Sequence, residues 1–198
     1  MSRKLGEYKH LWLLVTLILG QITQPLMGHE SVLARILSAA VILVVGWAVL
    51  MKLLEPGRER LIGGVLILPA VTVEFAHYAF SDAFQSAFAT VFHLSLTAFL
   101  GFAVVVILYH LFHKRNLVLD DVLGAFSGYM MMALIFANMY AMVWLYAPDA
   151  FTIDSHIVWQ LAEWHTRRGL FAYFSFATLT SVGYGDIVTT RDYQDRLD

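Results

Sequence analysis

Five long apolar segments, separated by polar or helix-breaking residues, constrain the fold of this 198-residue chain more than any other feature. A helix that crosses a bilayer needs about 20 mostly apolar residues. Segments of about that length occupy residues 11–27, 32–54, 61–80, 84–112 and 122–147. The whole chain is 59% hydrophobic and 14% charged, which is too apolar for an ordinary soluble domain. The sequence therefore predicts an all-α membrane protein with five transmembrane helices.

Composition and local patterns argue against several classes of function. The chain has no cysteine, so disulfides, thiol catalysis and thiolate metal sites are ruled out. A net charge of -2 does not favour a nucleic-acid partner. We find no nucleophile and base arrangement, no glycine-rich phosphate loop and no metal-ligand triad. We therefore expect neither an enzyme nor a protein that carries a cofactor.

Lysine and arginine in the short connections predict the orientation of the segments, because cytoplasmic loops carry these residues in excess. They cluster before the first segment, between the second and third, and between the fourth and fifth: Arg3, Lys4, Lys9, Lys52, Arg58, Arg60, Lys114 and Arg115. The N-terminus is therefore predicted to be cytoplasmic. With five segments, everything after residue 147 is predicted to be external, including the C-terminus.

A short apolar segment and a glycine-containing loop follow the fifth span. Residues 148–169 are polar, and residues 170–180 are apolar but reach only roughly 16 Å as a helix. Gly183 and Gly185, on either side of Tyr184, accept positive φ without steric cost. Irregular backbone at membrane depth is tolerated only where it lines a cavity or is buried in protein. The pattern predicts a re-entrant helix whose negative dipole end and following carbonyls face a cation path.

The sequence FATLTSVGYGDI resembles the P-loop of the potassium channel family, in particular its small bacterial members with a two-transmembrane pore. The resemblance implies a selectivity filter that coordinates K⁺ through its backbone carbonyls, formed by Ser181, Val182, Gly183, Tyr184 and Gly185. The Ser181 hydroxyl would close the innermost site, where the family usually has threonine.

The resemblance also implies supporting residues around the filter. Thr178 and Thr180 would belong to the end of the pore helix, and Asp186 would accept a hydrogen bond from an aromatic residue of that helix. Tyr173 and Phe174 stand where many relatives carry tryptophan. Tyr173 keeps a hydroxyl that can meet Asp186, whereas Phe174 has no donor.

The activity implied by the resemblance is passive, potassium-selective conduction through a tetramer in a bacterial inner membrane. Its partners would be lipid and either further copies of the chain or longer channel subunits. Residues 1–115 form a four-helix region without voltage-sensor arginines, since residues 84–112 contain no Lys or Arg and a voltage sensor needs several. Residues 116–198 form a partial pore domain with outer helix, turret, pore helix, filter and short polar tail.

The family places an inner helix after the filter, but residues 188–198 are too polar to span a membrane. The alternative is therefore a truncated or non-conducting membrane subunit that associates with longer channel subunits.

Glu74 and His77 lie one helical turn apart on the third segment. An ionisable residue within a span is a functional candidate because its burial in lipid is costly. A proton or pH-sensing role and a metal site are the functional alternatives. The simpler explanation is that Glu74 and His77 lie near the external interface and pair with Arg35 or with His93.

Three further expectations concern contacts between helices and at a helix end. Asn138, in the middle of the fifth segment, is expected to form a hydrogen bond with a neighbouring helix. Asp120 and Asp121 are expected to cap the fifth helix. Gly124 and Gly128 form a small-xxx-small pattern that can pack against an inner helix.

Overall fold

The computed structural model is built mainly of helices and describes residues 9–26, 32–54, 56–76, 85–157 and 164–190. Its helices are α1 Lys9–Leu26, α2 Val32–Ala48, α3 Arg58–Ala76, α4 Gln85–His113, α5 Leu119–Tyr146 and α6 Trp164–Leu179. The last turn of α2 continues as a π-helical turn, Val49–Leu53, and a 3-10 turn, Pro148–Ala150, follows α5. Two short strands, β1 Phe151–Ile153 and β2 Ile187–Thr189, complete the fold.

The helices α1 to α5 coincide with the five predicted apolar segments, so the helical class is confirmed. Within the described residues, two helical stretches are long and apolar enough to cross a membrane, Ser86–His113 and Leu119–Tyr146. The helix α3 is 19 residues long but carries three charged residues in its first turn: Arg58, Glu59 and Arg60. Association with a membrane is therefore indicated by α4 and α5, and five spans remain a prediction.

The helix α5 packs against α1, α4 and α6. The core is formed by fully buried side chains from several helices, among them Leu13, Val49, Phe99 and Met131. Because lipid is as apolar as these side chains, close packing and small residues contribute more to helix association in a membrane than burial from water does.

The two aspartates at the start of α5 do not share one role. The Asp121 carboxylate accepts a hydrogen bond from the Val118 N–H at 2.9 Å and pairs with Lys114 Nζ at 2.6 Å. Asp120 instead accepts from the backbone N–H of His10 at 3.0 Å and lies 2.8 Å from its Nδ1. The expectation that both aspartates cap α5 is therefore wrong for Asp120, which caps the N-terminus of α1.

Glycine at position 124 makes the approach of α1 to α5 possible. A Cβ at Gly124 would lie 3.1 Å from the His10 ring, tighter than ordinary van der Waals contact. Gly128, one turn further along, faces Ile107 of α4. Both glycines thus face helices that precede α5, and packing against the inner helix of a complete channel stays a prediction.

The strands join the segment after α5 to the segment after the predicted filter. β1 and β2 are antiparallel, with Phe151 opposite Thr189 and Ile153 opposite Ile187. The Asp154 N–H extends the pairing by donating to the Asp186 carbonyl at 2.9 Å. No strand was expected here, because a three-residue strand is too short to produce a period of two in the sequence.

The helix α6 begins at Trp164, six residues before the predicted start at residue 170. That start rested on apolar composition alone, whereas the preceding residues are polar but compatible with a helix. Part of the predicted turret, residues 148–169, is therefore helical or strand, and its residues 158–163 lie outside the described residues.

Candidate functional site

The position of α6 is set by α5. At 16 residues, α6 reaches about 24 Å, which is less than the hydrocarbon thickness of about 30 Å. The Ser175 hydroxyl donates to the Ala133 carbonyl of α5 at 2.6 Å in a buried contact. Near the C-terminal end of α6, the Tyr129 hydroxyl of α5 donates to the Leu179 carbonyl at 3.1 Å. The two hydrogen bonds, 2.6 and 3.1 Å long, fix the C-terminal half of α6 along α5.

Aromatic side chains pack the middle of α6 against α5 and β1. Phe171 is fully buried, with its ring 5.4 Å from Phe151 and 6.2 Å from Trp144. Phe174 lies 5.0 Å from Tyr140. Phe174 therefore contributes packing, which needs no hydrogen-bond donor. The strand β1 and the helix α6 are joined through this cluster.

The helix α6 ends in a Schellman motif at Ser181. The Val182 N–H donates to the Ala177 carbonyl at 2.9 Å, and the Ser181 N–H donates to the Thr178 carbonyl at 3.0 Å. Ser181 has a φ of 59°, at the position where such motifs usually have glycine. A left-handed conformation costs an L-residue roughly 1–2 kcal/mol. The strain at Ser181 is therefore the cost of ending α6 with this motif at a residue other than glycine.

The sign of φ alternates along the loop after α6. It is positive at Ser181 (59°), Gly183 (55°) and Gly185 (80°), but not at Val182 or Tyr184. The Val182 and Gly183 N–H groups both donate to the Ala177 carbonyl, at 2.9 and 3.3 Å, so they point to the same side. Within a trans peptide the carbonyl points away from the N–H, so the Ser181 and Val182 carbonyls lie on the opposite side. These two neighbouring carbonyls are directed away from the end of α6.

Tyr173 and Asp186 are brought together across the loop. The Tyr173 hydroxyl donates to Asp186 Oδ2 at 2.7 Å, while Asp186 Oδ1 accepts the Ile187 N–H at 3.0 Å. The phenol is the donor in the first bond, because a carboxylate only accepts. The Tyr184 ring stacks on Tyr173, with centroids 5.9 Å apart and an interplanar angle of 15°.

The two threonines near the end of α6 form hydrogen bonds within the helix. Thr178 Oγ1 donates to the Phe174 carbonyl at 2.8 Å, and Thr180 Oγ1 donates to the Phe176 carbonyl at 2.6 Å. Neither of these bonds reaches the loop, so a direct role of the threonines in supporting it remains a prediction.

A second polar group is buried where α3, α4 and α5 meet the start of α6. Glu74, with its side chain 4% exposed, lies 3.4 Å from the guanidinium of Arg168, whose side chain is 10% exposed. The guanidinium also lies 4.8 Å from the centroid of the Phe92 ring. His93 Nδ1 is 2.7 Å from Asn138 Oδ1, which confirms the predicted hydrogen bond between helices.

Arg168 was not identified as the partner of Glu74 from sequence. A carboxylate within a span needs a counter-ion, and this was the signal that Glu74 has a partner. Two arginines lie in the polar stretch, at positions 167 and 168, and the sequence does not show which of them pairs with Glu74. The predicted partner of Glu74 on its own helix, His77, lies outside the described residues, as does the side chain of Arg35. Among the residues that are described, no three His, Asp or Glu side chains are grouped to hold a metal.

Comparison with protein-family models, with curated protein sequences and with solved structures returned no match. The interpretation of the loop consequently depends on its residues and geometry.

Proposed function

We propose that the chain is a subunit of a potassium-selective channel, with its selectivity filter formed by residues 181–185. The observation that carries the proposal is the alternating sign of φ along this loop, directly after a helix too short to cross a membrane. In the proposed filter, a row of backbone carbonyl oxygens replaces the water shell of a dehydrating cation. The only ligand the proposal requires is the transported ion.

We infer that four copies surround the ion, because one loop contacts a cation from one side only. The exposed side chains of the loop support assembly. Val182 is 53% exposed and Tyr184 is 69% exposed, and contiguous exposed apolar surface is typical of sites covered by another chain. The neighbouring subunits would be further copies of this chain or longer channel subunits.

We further propose that α1 to α5 cross the bacterial inner membrane, with the N-terminus cytoplasmic and the filter external. The helices α1, α2 and α3 have 18, 17 and 19 residues, or about 25–29 Å at 1.5 Å per residue, against a hydrocarbon core of about 30 Å. The helix α4 contains no Lys or Arg, so voltage sensing through α4 is not part of the proposal.

The experiment is cation flux from liposomes that contain the purified 198-residue chain. We expect potassium efflux to exceed sodium efflux and to be lost in Gly183→Ala. A Cβ at Gly183 meets nothing within 4 Å, but φ there is 55°, so the substitution acts on the conformation of the loop. Gly64→Ala, also free of neighbours within 4 Å but in the helix α3, is the matched control and should retain flux.

Potassium-selective flux that persists in Gly183→Ala would contradict the filter assignment. If wild-type tetramers form but pass no potassium, the alternative applies, a non-conducting subunit that associates with longer channel subunits. Co-purification of a longer channel subunit from the native membrane would then identify it.

A further inference from the structure

The last carbonyl of α6 has a hydrogen-bond donor from another helix. The four carbonyls at the C-terminal end of a helix have no partner within the helix, and in α6 these are the carbonyls of residues 176–179. The first three accept hydrogen bonds from the N–H groups of residues 180–183. The fourth, at Leu179, accepts from the Tyr129 hydroxyl of α5 at 3.1 Å. The end of α6 is therefore held by the loop itself and by α5.

The packing of α6 weakens toward the loop. Phe171 and Ser175 are buried, whereas Thr178 and residues 180–185 are exposed. With little buried side-chain surface in this segment, its position depends on hydrogen bonds more than the position of the middle of α6 does. The bond from Tyr129 ties this exposed segment to α5.

A small rotation of α6 is enough to displace the loop. Ser181 lies six residues after Ser175, or about 9 Å along a helix axis at 1.5 Å per residue. A rotation of about 3° around Ser175 would therefore move Ser181 by about 0.5 Å, the precision that a binding site needs. The bond between Tyr129 and Leu179 lies beyond Ser175 on the side of the loop, so it opposes this rotation.

We propose that Tyr129 is a positioning residue for potassium binding, because its hydroxyl holds the end of α6 and with it the carbonyls of residues 181–185. The inference rests on the proposed function of this loop. Tyr129 acts through α6, and no contact with the ion is required. Without the bond, a smaller fraction of chains has the loop in the binding position before the ion arrives. The apparent Kd for K⁺ then rises by the inverse of that fraction.

The dependence of Tm on KCl concentration tests this role in the assembled 198-residue chain in detergent, with NaCl keeping the ionic strength constant. Tyr129 is 42% exposed, so Tyr129→Phe keeps the ring and leaves the core intact. It should raise the apparent Kd for K⁺ by about 2- to 10-fold, the equivalent of one neutral hydrogen bond. Tyr146→Phe makes the same change on α5, but the Tyr146 hydroxyl contacts Thr90 of α4. This control should bind K⁺ as the wild type does.

Ser175→Ala separates positioning from general stability. It removes a buried hydroxyl that joins the same two helices, so Tm should fall in KCl and in NaCl alike. The Kd for K⁺ should stay as in the wild type, because the aromatic cluster around Phe171 and Phe174 still holds this part of α6.

The outcomes distinguish this role from the proposed function. A wild-type Tm that does not depend on KCl would overturn the filter and the role of Tyr129 together. If the wild type does respond to KCl, an unchanged Kd in Tyr129→Phe would overturn the role of Tyr129 alone. An equal rise of Kd in Tyr146→Phe or in Ser175→Ala would do the same.

Discussion

The buried ion pair between Glu74 of α3 and Arg168 of α6 predicts how strongly α6 depends on the helices before it. The two side chains are 4% and 10% exposed and lie 3.4 Å apart. Replacing Glu74 by Gln keeps an acceptor oxygen near the guanidinium but removes the compensating charge. Replacing Arg168 by Gln leaves a buried carboxylate and also removes the contact with the Phe92 ring, 4.8 Å away.

The expected cost follows from the burial and the distance. Removing one partner of a buried pair costs about 3–5 kcal/mol. The distance of 3.4 Å is longer than the ~2.7–2.9 Å of strong charge-assisted hydrogen bonds. We therefore expect Glu74→Gln to lower the free energy of unfolding by about 3 kcal/mol, the low end of this range. In a chain of this length, that corresponds to a fall in Tm of about 6–12 °C. Arg168→Gln should cost more, because the cation–π contact is lost as well.

Thermal unfolding in detergent, followed by circular dichroism, measures these effects. The double variant Glu74→Gln/Arg168→Gln should be more stable than the sum of the two single losses predicts, by about 0.5–3 kcal/mol, because the residues are in contact. Asp149→Asn changes an exposed carboxylate and should stay within about 0.5 kcal/mol of the wild type. If Glu74→Gln unfolds as Asp149→Asn does, or if the two single effects add, the pair does not hold α6.

Three further variants test other parts of the structure. Ser181→Gly relieves the strain of a φ of 59° and should raise the free energy of unfolding by about 0.5–1 kcal/mol. The affinity for K⁺ should fall, because the hydroxyl is lost. Lower stability of the variant would refute the strain at Ser181. Asp120→Ala removes the cap on α1 and should cost about 0.5–2 kcal/mol, with faster hydrogen exchange in the first turn of α1. Faster exchange confined to α5 would contradict the assignment. Asn138→Leu removes the amide oxygen that faces the buried His93 Nδ1 and should lower the free energy of thermal unfolding by about 1–3 kcal/mol. The control Asn116→Leu, in an exposed loop, should change little. Equal losses in the two variants would count against the His93 hydrogen bond.

The helices α1 to α5 could be located from sequence because each is a long apolar run between polar breaks. The predicted start of α6 is six residues too late, because the prediction relied on apolar composition and the first turns of this helix are polar. The two strands were missed for a different reason. Phe151 and Thr189 pair across the whole of α6 and the loop, and three-residue strands carry no periodicity.

The loop was predicted in part. Glycine composition anticipated positive φ at Gly183 and Gly185, but Ser181 adopts it too, which no serine propensity suggests. The contact between Tyr173 and Asp186 was expected from the resemblance, and both residues are close in the chain. The partner of Glu74 is 94 residues away in sequence, and a single sequence holds no signal for a contact between two such distant positions when several arginines are available.

Potassium-dependent stability of the assembled chain tests most directly whether residues 181–185 form a potassium filter, and it does not require conduction. A cation that binds only the folded state stabilises it by about 2.7 kcal/mol at 100 times its Kd. If residues 181–185 form a potassium filter, Tm measured at equal ionic strength is about 5–11 °C higher in KCl than in NaCl. This difference disappears in Gly183→Ala but not in Gly64→Ala. Equal Tm values in the two salts, or the same difference in Gly183→Ala, would contradict the account.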